Sequence, residues 1–503
     1  MRRLLLSAAL LVLGVPAAAT AMQTTIETAP TPPGALVTTS RSVADDPVAV
    51  AIPEDSIVAD GSFEGGVSSF TSGGNRRTSI VSDEKAPQGS RVLRVTPRHR
   101  GEFGIDNWPG SVTDAVARAD YRAAVYVAGS GAQVGRAVTL TVRLTAPDGS
   151  TLKTDVSEPV LLTGSFRRLE ASLTPREAGG HIDLFLSAST GRAKGGALYV
   201  DAVTLTQGIP VPAGYTHDDE VLRDRFGEEP GYDLLDNWSF GLADNRSAGS
   251  PWSGTGEFPY WGSGTKGWAP DCDYGTPSEE YNLPEQISQS STGAPYDAFG
   301  ESGTGLRITI EPRVSMPNGC LYTWESGALN TRGKREFGGD GKTVFVQVRA
   351  RMPVVEVDGQ RVTNGTWGSI WLLPGAGSGQ SNSVEVDLME GGYLVEGVDP
   401  LRVIASNLHS SPYQVVKDSG VDLSAGYHTY GAQLDTVTGQ VNLYLDGHEY
   451  ASYPGGPRSP MFLLLNAHVA NHNAVDWHTM VTDQTASSDL VVSEVRVFEK
   501  YAH

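Results

Sequence analysis

Three acidic residues stand close together in Ser383-Val-Glu385-Val-Asp387-Leu-Met-Glu390-Gly-Gly, spaced E-x-D-x-x-E with apolar residues between them. Carboxyl groups gathered on one face repel one another, and repulsion with burial raises at least one pKa. A protonated carboxyl beside an ionised one can supply a general acid and a nucleophile. Cleavage of a glycosidic bond with retention needs such a pair about 5–5.5 Å apart. In a strand, residues two apart share a face, so Glu385 and Asp387 point one way and Val386 and Leu388 point to the core. Glu390 lies five residues beyond Glu385, and a regular strand would turn it to the core side. One extra residue at Leu388-Met389, a β-bulge, returns it to the acidic face. Five residues of flat strand separate the two Glu Cα atoms by roughly 16 Å, so the side chains must lean toward each other. Two other readings remain open from spacing alone: a solvated outer sheet face and a calcium site built from clustered oxygens. Just upstream, Gly365-Thr-Trp367-Gly-Ser-Ile-Trp371-Leu-Leu-Pro374 places two Trp on one strand face, and aromatic faces stack on sugar rings as well as filling cores.

The elements that must hold these residues are strands. Residues 218–503 carry eight of the nine Trp and a series of strand candidates: Gly305–Glu311, Thr343–Met352, Gly368–Leu373, Ser383–Met389, Tyr427–Leu434, Val441–Leu445, Met461–Val469 and Leu490–Phe498. Amphipathic helices are missing from the pattern, which argues for a sandwich. Residues 57–206 alternate in shorter runs such as Val138-Leu140-Val142-Leu144 and Leu198-Val200, separated by Gly, Asp and Ser, and read as a smaller antiparallel β-sandwich. Residues 207–217, containing Gly-Ile-Pro-Val-Pro-Ala-Gly, read as a linker. Residues 22–56 are rich in Thr, Pro and Ala and read as a flexible leader.

Residues 1–21 have Arg2 and Arg3, a short apolar run from Leu4 to Val15, and small residues up to Ala21. That is the layout of a secretory signal peptide, and the run is short for a membrane span. The expectation is a secreted, extracellular monomer without a membrane anchor. Cys272 and Cys320 are the two cysteines. In an oxidising compartment the expectation is that they pair, the alternative being two separate thiols. The chain has 38 Lys+Arg against 58 Asp+Glu, a net charge of −20, which argues against a nucleic-acid binder. At 503 residues with 39% hydrophobic, 59 Gly and 30 Pro, it has material for two cores and many turns.

The segment Glu385-Val-Asp387-Leu-Met-Glu390, with Trp367-x-x-x-Trp371-Leu-Leu-Pro374 before it, resembles the bulged, laminarinase-like motif of glycoside hydrolase family 16. Further segments are similar to that family in the same order: Leu329-Asn-Thr-Arg-Gly-Lys334, Tyr427-His-Thr-Tyr-Gly431, Leu443-Tyr-Leu-Asp446-Gly447 and Pro460-Met-Phe-Leu-Leu-Leu-Asn466. The resemblance covers residues 218–503. It implies an all-β chain whose catalytic domain is a β-jelly-roll, a concanavalin-like sandwich, preceded by the smaller sandwich. It implies endo-acting, retaining hydrolysis of a β-1,3- or mixed-linkage β-glucan, with a β-galactan such as agar or β-1,3-galactan as the neighbouring substrate. A non-catalytic lectin-like binder is the rival of another class, although pure binding has no need of both Glu385 and Glu390. Carried over, Glu385 is the nucleophile, Glu390 the acid/base and Asp387 their assistant. Trp367, Trp371 and His409 would contact the polysaccharide. No cofactor is expected for hydrolysis. Members often hold calcium near the ends of this domain, but Arg225 and Ser493 stand here where acids are expected. His468, His472 and His478 lack the Glu of an H-E-x-x-H helix, which argues against a metal there.

Residues 57–206 resemble the carbohydrate-binding β-sandwiches attached to such enzymes, through Asp60-Gly-Ser-Phe-Glu64-Gly and Leu198-Tyr-Val-Asp201-Ala-Val. That resemblance implies a structural calcium held by Glu64 and Asp201. Phe70 and Trp108 are candidates for a sugar platform or for core.

Overall fold

The computed structural model describes residues 52–66, 70, 75–99, 101–107, 110–189, 195–227, 232–240, 280–290, 305–315, 322–375, 384–409, 413–470 and 477–502. These fall within one compact unit, Pro47–His503. Cys272, Cys320, Trp108 and His472 lie outside the described residues, and so does the expected signal segment. Among the described residues, no helix is long and apolar enough to cross a membrane.

The chain is all-β. The first sandwich pairs Arg76–Ser82, Arg91–Pro97, Leu198–Gln207, Tyr121–Gly129 and Arg167–Leu173, in that order, in one sheet. Glu102–Asp106, His181–Ser189, Ala137–Thr145 and Thr151–Val156 form the facing sheet, with Val160–Leu161 pairing Ala137–Thr145. Strict alternation drives the burial: in Tyr121–Gly129, Tyr121, Ala123, Val125 and Val127 are buried while Arg122, Ala124 and Tyr126 are not. Leu93, Val125, Leu140 and Leu184 belong to the core between the sheets. Phe70 joins that core with its ring 5.7 Å from Phe63, so it offers no exposed platform.

The second sandwich is the jelly-roll. Its ten-stranded sheet runs Glu280–Asn282, Tyr322–Ser326, Leu306–Ser315, Ser488–Tyr501, Lys342–Arg351, His428–Asp435, Gln440–Leu445 and His448–Tyr453, with Glu220–Asp224 and Ile287–Gln289 added beside it. The facing seven-stranded sheet runs Ser239–Phe240, Ala328–Asn330, Met461–Val469, Thr366–Pro374, Val386–Glu390, Val403–Leu408 and Tyr413–Asp418. Ile370, Leu372, Leu463, Leu465, Val346 and Val348 are among the residues packed between them. The Asp446-Gly447 pair turns one hairpin: both residues have positive φ (50° and 78°), the requirement of a tight two-residue turn between Leu445 and His448.

The segment between the sandwiches is packed, not loose. Ile209, Val211 and Tyr215 are buried, and Val211 and Tyr215 cluster with Phe345 and Phe498. Composition placed residues 52–56 at the end of a flexible leader, and here the structure differs. Glu54 pairs with Arg351 at 2.9 Å and with Arg307, and Asp55 pairs with Arg349 at 2.7 Å. The acids that hold this end are matched by arginines on the jelly-roll, which no local composition reveals. At the same junction Glu494 receives Arg223 and Arg225 at 3.0 and 2.9 Å and the Ile209 N–H at 2.7 Å. Arg225, read from sequence as misplaced for a cation site, is thus itself the cation beside Glu494.

Candidate active site

The register of two strands brings the acids together. Leu372 faces Val386 and Trp371 faces Asp387, but Ile370 faces Met389 and Ser369 faces Glu390. Leu388 is therefore the extra residue, and the bulge lies where the spacing required it. Leu388 and Met389 both sit in the core, and Glu390 returns to the face of Asp387. The carbonyl freed by the bulge is not left bare. Leu388 O accepts from Ser406 Oγ at 3.0 Å and from the Tyr450 phenol, on the opposite sheet, at 3.1 Å. A buried carbonyl with two donors is satisfied, so the kink is pinned through the core.

On the acid face, the strand Val403–Leu408 contributes Asn407, and His409 follows it directly. Asn407 Nδ2 donates to Glu390 Oε2, and the Tyr393 hydroxyl donates to the same oxygen at 3.1 Å. His409 Nε2 stands 3.0 Å from Asp387 Oδ2 and 3.5 Å from Glu385 Oε1. Its backbone N–H also donates to Glu385 O at 3.1 Å. The His409 ring is half exposed while Asp387 is buried, so the imidazole lies across the mouth of the acid pair.

Electrostatics follow from this crowding. Burial, then the Asp387 charge, pushes the Glu385 carboxyl up to about 9, against the pull of His409. Burial and the Glu390 charge push Asp387 well up. Burial also raises Glu390, opposed by the hydrogen bonds from Tyr393 and Asn407. Burial raises the Tyr393 phenol as well, followed by the neighbouring Glu390 charge, so it stays a donor at neutral pH. The cluster therefore keeps protons well above the ordinary carboxylate range. One proton can serve as the acid, and the Glu385–Asp387 contact can carry another between two oxygens.

The structure brings Glu385, Asp387, Glu390 and His409 together. Trp371 lies across the strand pair from Asp387, 4% exposed, with its indole N–H donating to Asn466 Oδ1 at 2.8 Å. Trp367 is on the same face but is packed between His468 and His478, with ring centroids 4.9 and 4.2 Å away, and is only 3% exposed. It supports the floor more than it offers a ring to a ligand. Asn407, Tyr393 and Asn466 were not singled out by sequence. Asn407 could have been found, since it precedes His409 by two on the same strand face. Tyr393 follows Glu390 through two glycines and has no periodic signal. His478 is fully buried, with its ring nitrogens 2.6 Å from Gly391 O and 2.9 Å from Thr479 O. It holds the Gly391-Gly392 turn that follows Glu390. Glu385, Asp387 and His409 also have donor atoms within 4.8 Å of one another, close enough to hold a metal ion.

Fold and site together define a two-sandwich β protein with a cluster of three buried and half-buried carboxyls on the jelly-roll sheet. No protein-family model and no curated protein matches the chain. Among solved structures it is similar to the catalytic domain of an endo-1,3-β-glucanase (laminarinase) from Thermotoga petrophila RKU-1, at 20% identity and TM-score 0.39, over 56% of this chain and 98% of that one. It is similar to the endo-β-1,3-glucanase of Pyrococcus furiosus at 18% identity and TM-score 0.39, over 56% of this chain and 94% of that one. The endo-1,3-β-glucanase of Streptomyces sioyaensis is similar at 19% identity and TM-score 0.39, over 58% of this chain and 99% of that one.

Proposed function

We propose that the chain is an exported, endo-acting retaining β-glycanase that hydrolyses β-1,3- or mixed-linkage β-glucan. The observation that carries this reading is the Leu388 bulge, which sets Glu390 on the face of Glu385 and Asp387. With the shared proton resting on Asp387, the ionised Glu385 attacks the anomeric carbon while Glu390 gives its proton to the departing glycosidic oxygen. The covalent glycosyl-enzyme is then opened by water, from which Glu390 removes a proton. Asp387 takes up and returns hydrogen-bonding to Glu385 as its charge is spent and restored. Asn407 and Tyr393 aim Glu390, and His409 steadies the Asp387–Glu385 pair. No step requires a metal or a cofactor.

The test is oligosaccharide release from laminarin, mixed-linkage glucan, agarose, β-1,3-galactan and xyloglucan. Release from a glucan is expected. Release from a galactan alone would keep the mechanism and replace the substrate, while binding without release would leave a lectin-like protein.

The N-terminal sandwich is read as a carbohydrate-binding module with a structural calcium. Asp201 Oδ2 accepts the Gln88 N–H at 2.8 Å, but its buried Oδ1 has no hydrogen-bond partner among the described residues, and neither has Gln88 Oε1. Glu64 caps the same loop through the Ser90 and Arg91 N–H groups, both at 2.7 Å. Unpartnered buried oxygens beside a second carboxylate fit a hard cation. Burial, and less strongly the charges of Glu64 and Asp83, pushes Asp201 up to about 7. A folded-state pKa raised from 3.8 contributes stability that is full below the unfolded value and lost as pH rises through about 7. Without calcium the protein should melt lower at pH 8 than at pH 5. Calcium should raise the pH 8 melting temperature by roughly 5 °C, and Asp201→Asn should abolish that rise. Calorimetry with calcium and with chelator checks both.

A further inference from the structure

Glu280 reaches the floor of the acid-bearing sheet from the other sheet. It opens the edge strand Glu280–Asn282 and is fully buried. Its Oε2 accepts the Val469 N–H at 2.9 Å, and its Oε1 lies 2.7 Å from His468 Nδ1. On the far side of the ring, His468 Nε2 lies 2.5 Å from Asn466 Nδ2. Asn466, fully buried, receives the Trp371 indole N–H on Oδ1 at 2.8 Å.

The two ends of this chain decide its polarity. An indole N–H can only donate, and an ionised carboxylate can only accept. Asn466 must therefore present Oδ1 to Trp371 and Nδ2 to His468. His468 must then be bare at Nε2 and carry its proton on Nδ1, toward Glu280. Every group in the row has one satisfying assignment, and a ring protonated on both nitrogens would force the Asn466 amide to turn over and drop Trp371.

The row ends among the acids. Asn466 lies across from Ser369, which lies across from Glu390, and Trp371 lies across from Asp387. We propose that Glu280 and His468 are positioning residues: through Asn466 they fix the Trp371 indole and the floor on which a sugar ring must sit to meet Glu385 and Glu390. This rests on the hydrolase reading for its consequence, but not for the proton arrangement. Glu280 is separated from His468 by 188 residues of chain, and it is the tertiary fold that makes them one unit.

Two experiments test it on the full chain. With ¹⁵N-labelled histidine, two-bond proton–nitrogen spectra at pH 7.5 report the tautomer of each ring, and His468→Gln identifies the His468 signals by their loss. A neutral ring protonated on Nδ1 is expected; an Nε2-protonated or doubly protonated ring would overturn the relay, whether or not the protein hydrolyses anything. Kinetics on the released substrate then tests the positioning. Glu280→Gln and Trp371→Phe should each raise KM about tenfold with a smaller fall in kcat, and the double variant should resemble either single one. Effects that multiply, or a loss in kcat alone, would overturn the proposal. Asn466→Asp, which keeps the acceptor for Trp371 and removes the donor to His468, serves if Glu280→Gln fails to fold.

Discussion

Glu385→Gln is expected to lower hydrolysis of the released glucan by four orders of magnitude or more, about 5.5 kcal/mol in activation free energy. The amide cannot form the glycosyl ester. Glu385→Ala with azide gives a sharper form of the result. The small anion enters the vacated space, attacks the anomeric carbon from the nucleophile's side, and Glu390 still protonates the leaving oxygen, so an inverted glycosyl azide accumulates. Glu390→Ala should instead let Glu385 form the ester from an activated aryl glycoside, and azide then opens it with net retention. Chromatography and proton NMR of the azides distinguish the two. Unchanged hydrolysis in Glu385→Gln would remove the carboxyl cluster from the chemistry.

The same substitution should stabilise the fold at neutral and alkaline pH. Glu385 is raised by burial, then by Asp387, from 4.5 to about 9. Its contribution to stability is therefore full below about 4.5 and is lost as pH rises through about 9. Gln carries no such penalty. The variant should melt several degrees above the native protein at pH 9, with the gap closing at pH 4. An inactive variant that is more stable is the signature of a site held against its own repulsion.

The largest loss of stability is expected at the junction of the two sandwiches. Glu494 is 2% exposed and Arg496 fully buried. Arg496 is paired with Glu220 at 2.7 and 3.0 Å and donates to Ile209 O. Burial alone would raise Glu494, but Arg225, Arg223 and Arg496 outweigh it and hold the carboxyl below its ordinary value. Glu494→Gln leaves those arginines without their common partner, and breaking a buried pair from one side costs about 3–5 kcal/mol. The sign with pH is opposite to that of Glu385: the contribution is present above about 4.5 and lost as pH falls through the lowered value, so the deficit of the variant should shrink in acid. Urea unfolding at pH 7.5 and pH 4 measures both. Arg168→Ala is the control, because its partner Glu170 is 61% exposed and such pairs contribute about 0–1 kcal/mol. Equal effects at the two positions would mean that the junction is wet and the sandwiches only loosely joined.

Much of the site was legible before folding. Strand periodicity places Glu385 and Asp387 on one face and demands an extra residue at Leu388-Met389, and the register puts it at Leu388. The strand Met461–Val469 has the predicted bounds. The acid strand and its bulge follow from local rules: alternation, the geometry of a bulge, and the cost of turning a carboxylate into the core. His409 came only through the family resemblance, and the structure sets it directly after Val403–Leu408 with its ring 3.0 Å from Asp387.

What the sequence by itself determined is thus the two sandwiches, the acid strand and its bulge, because a period of two and its single interruption are written in consecutive residues. Only the tertiary structure decided which partners each charge would have. Glu54 to Arg351, Asp55 to Arg349 and Glu494 to Arg225 are all joined across long stretches of chain. The spacer at residues 207–217 and the end of the leader became parts of a junction for the same reason. A buried charge must find its counter-charge wherever the fold brings one, and no window of sequence contains both.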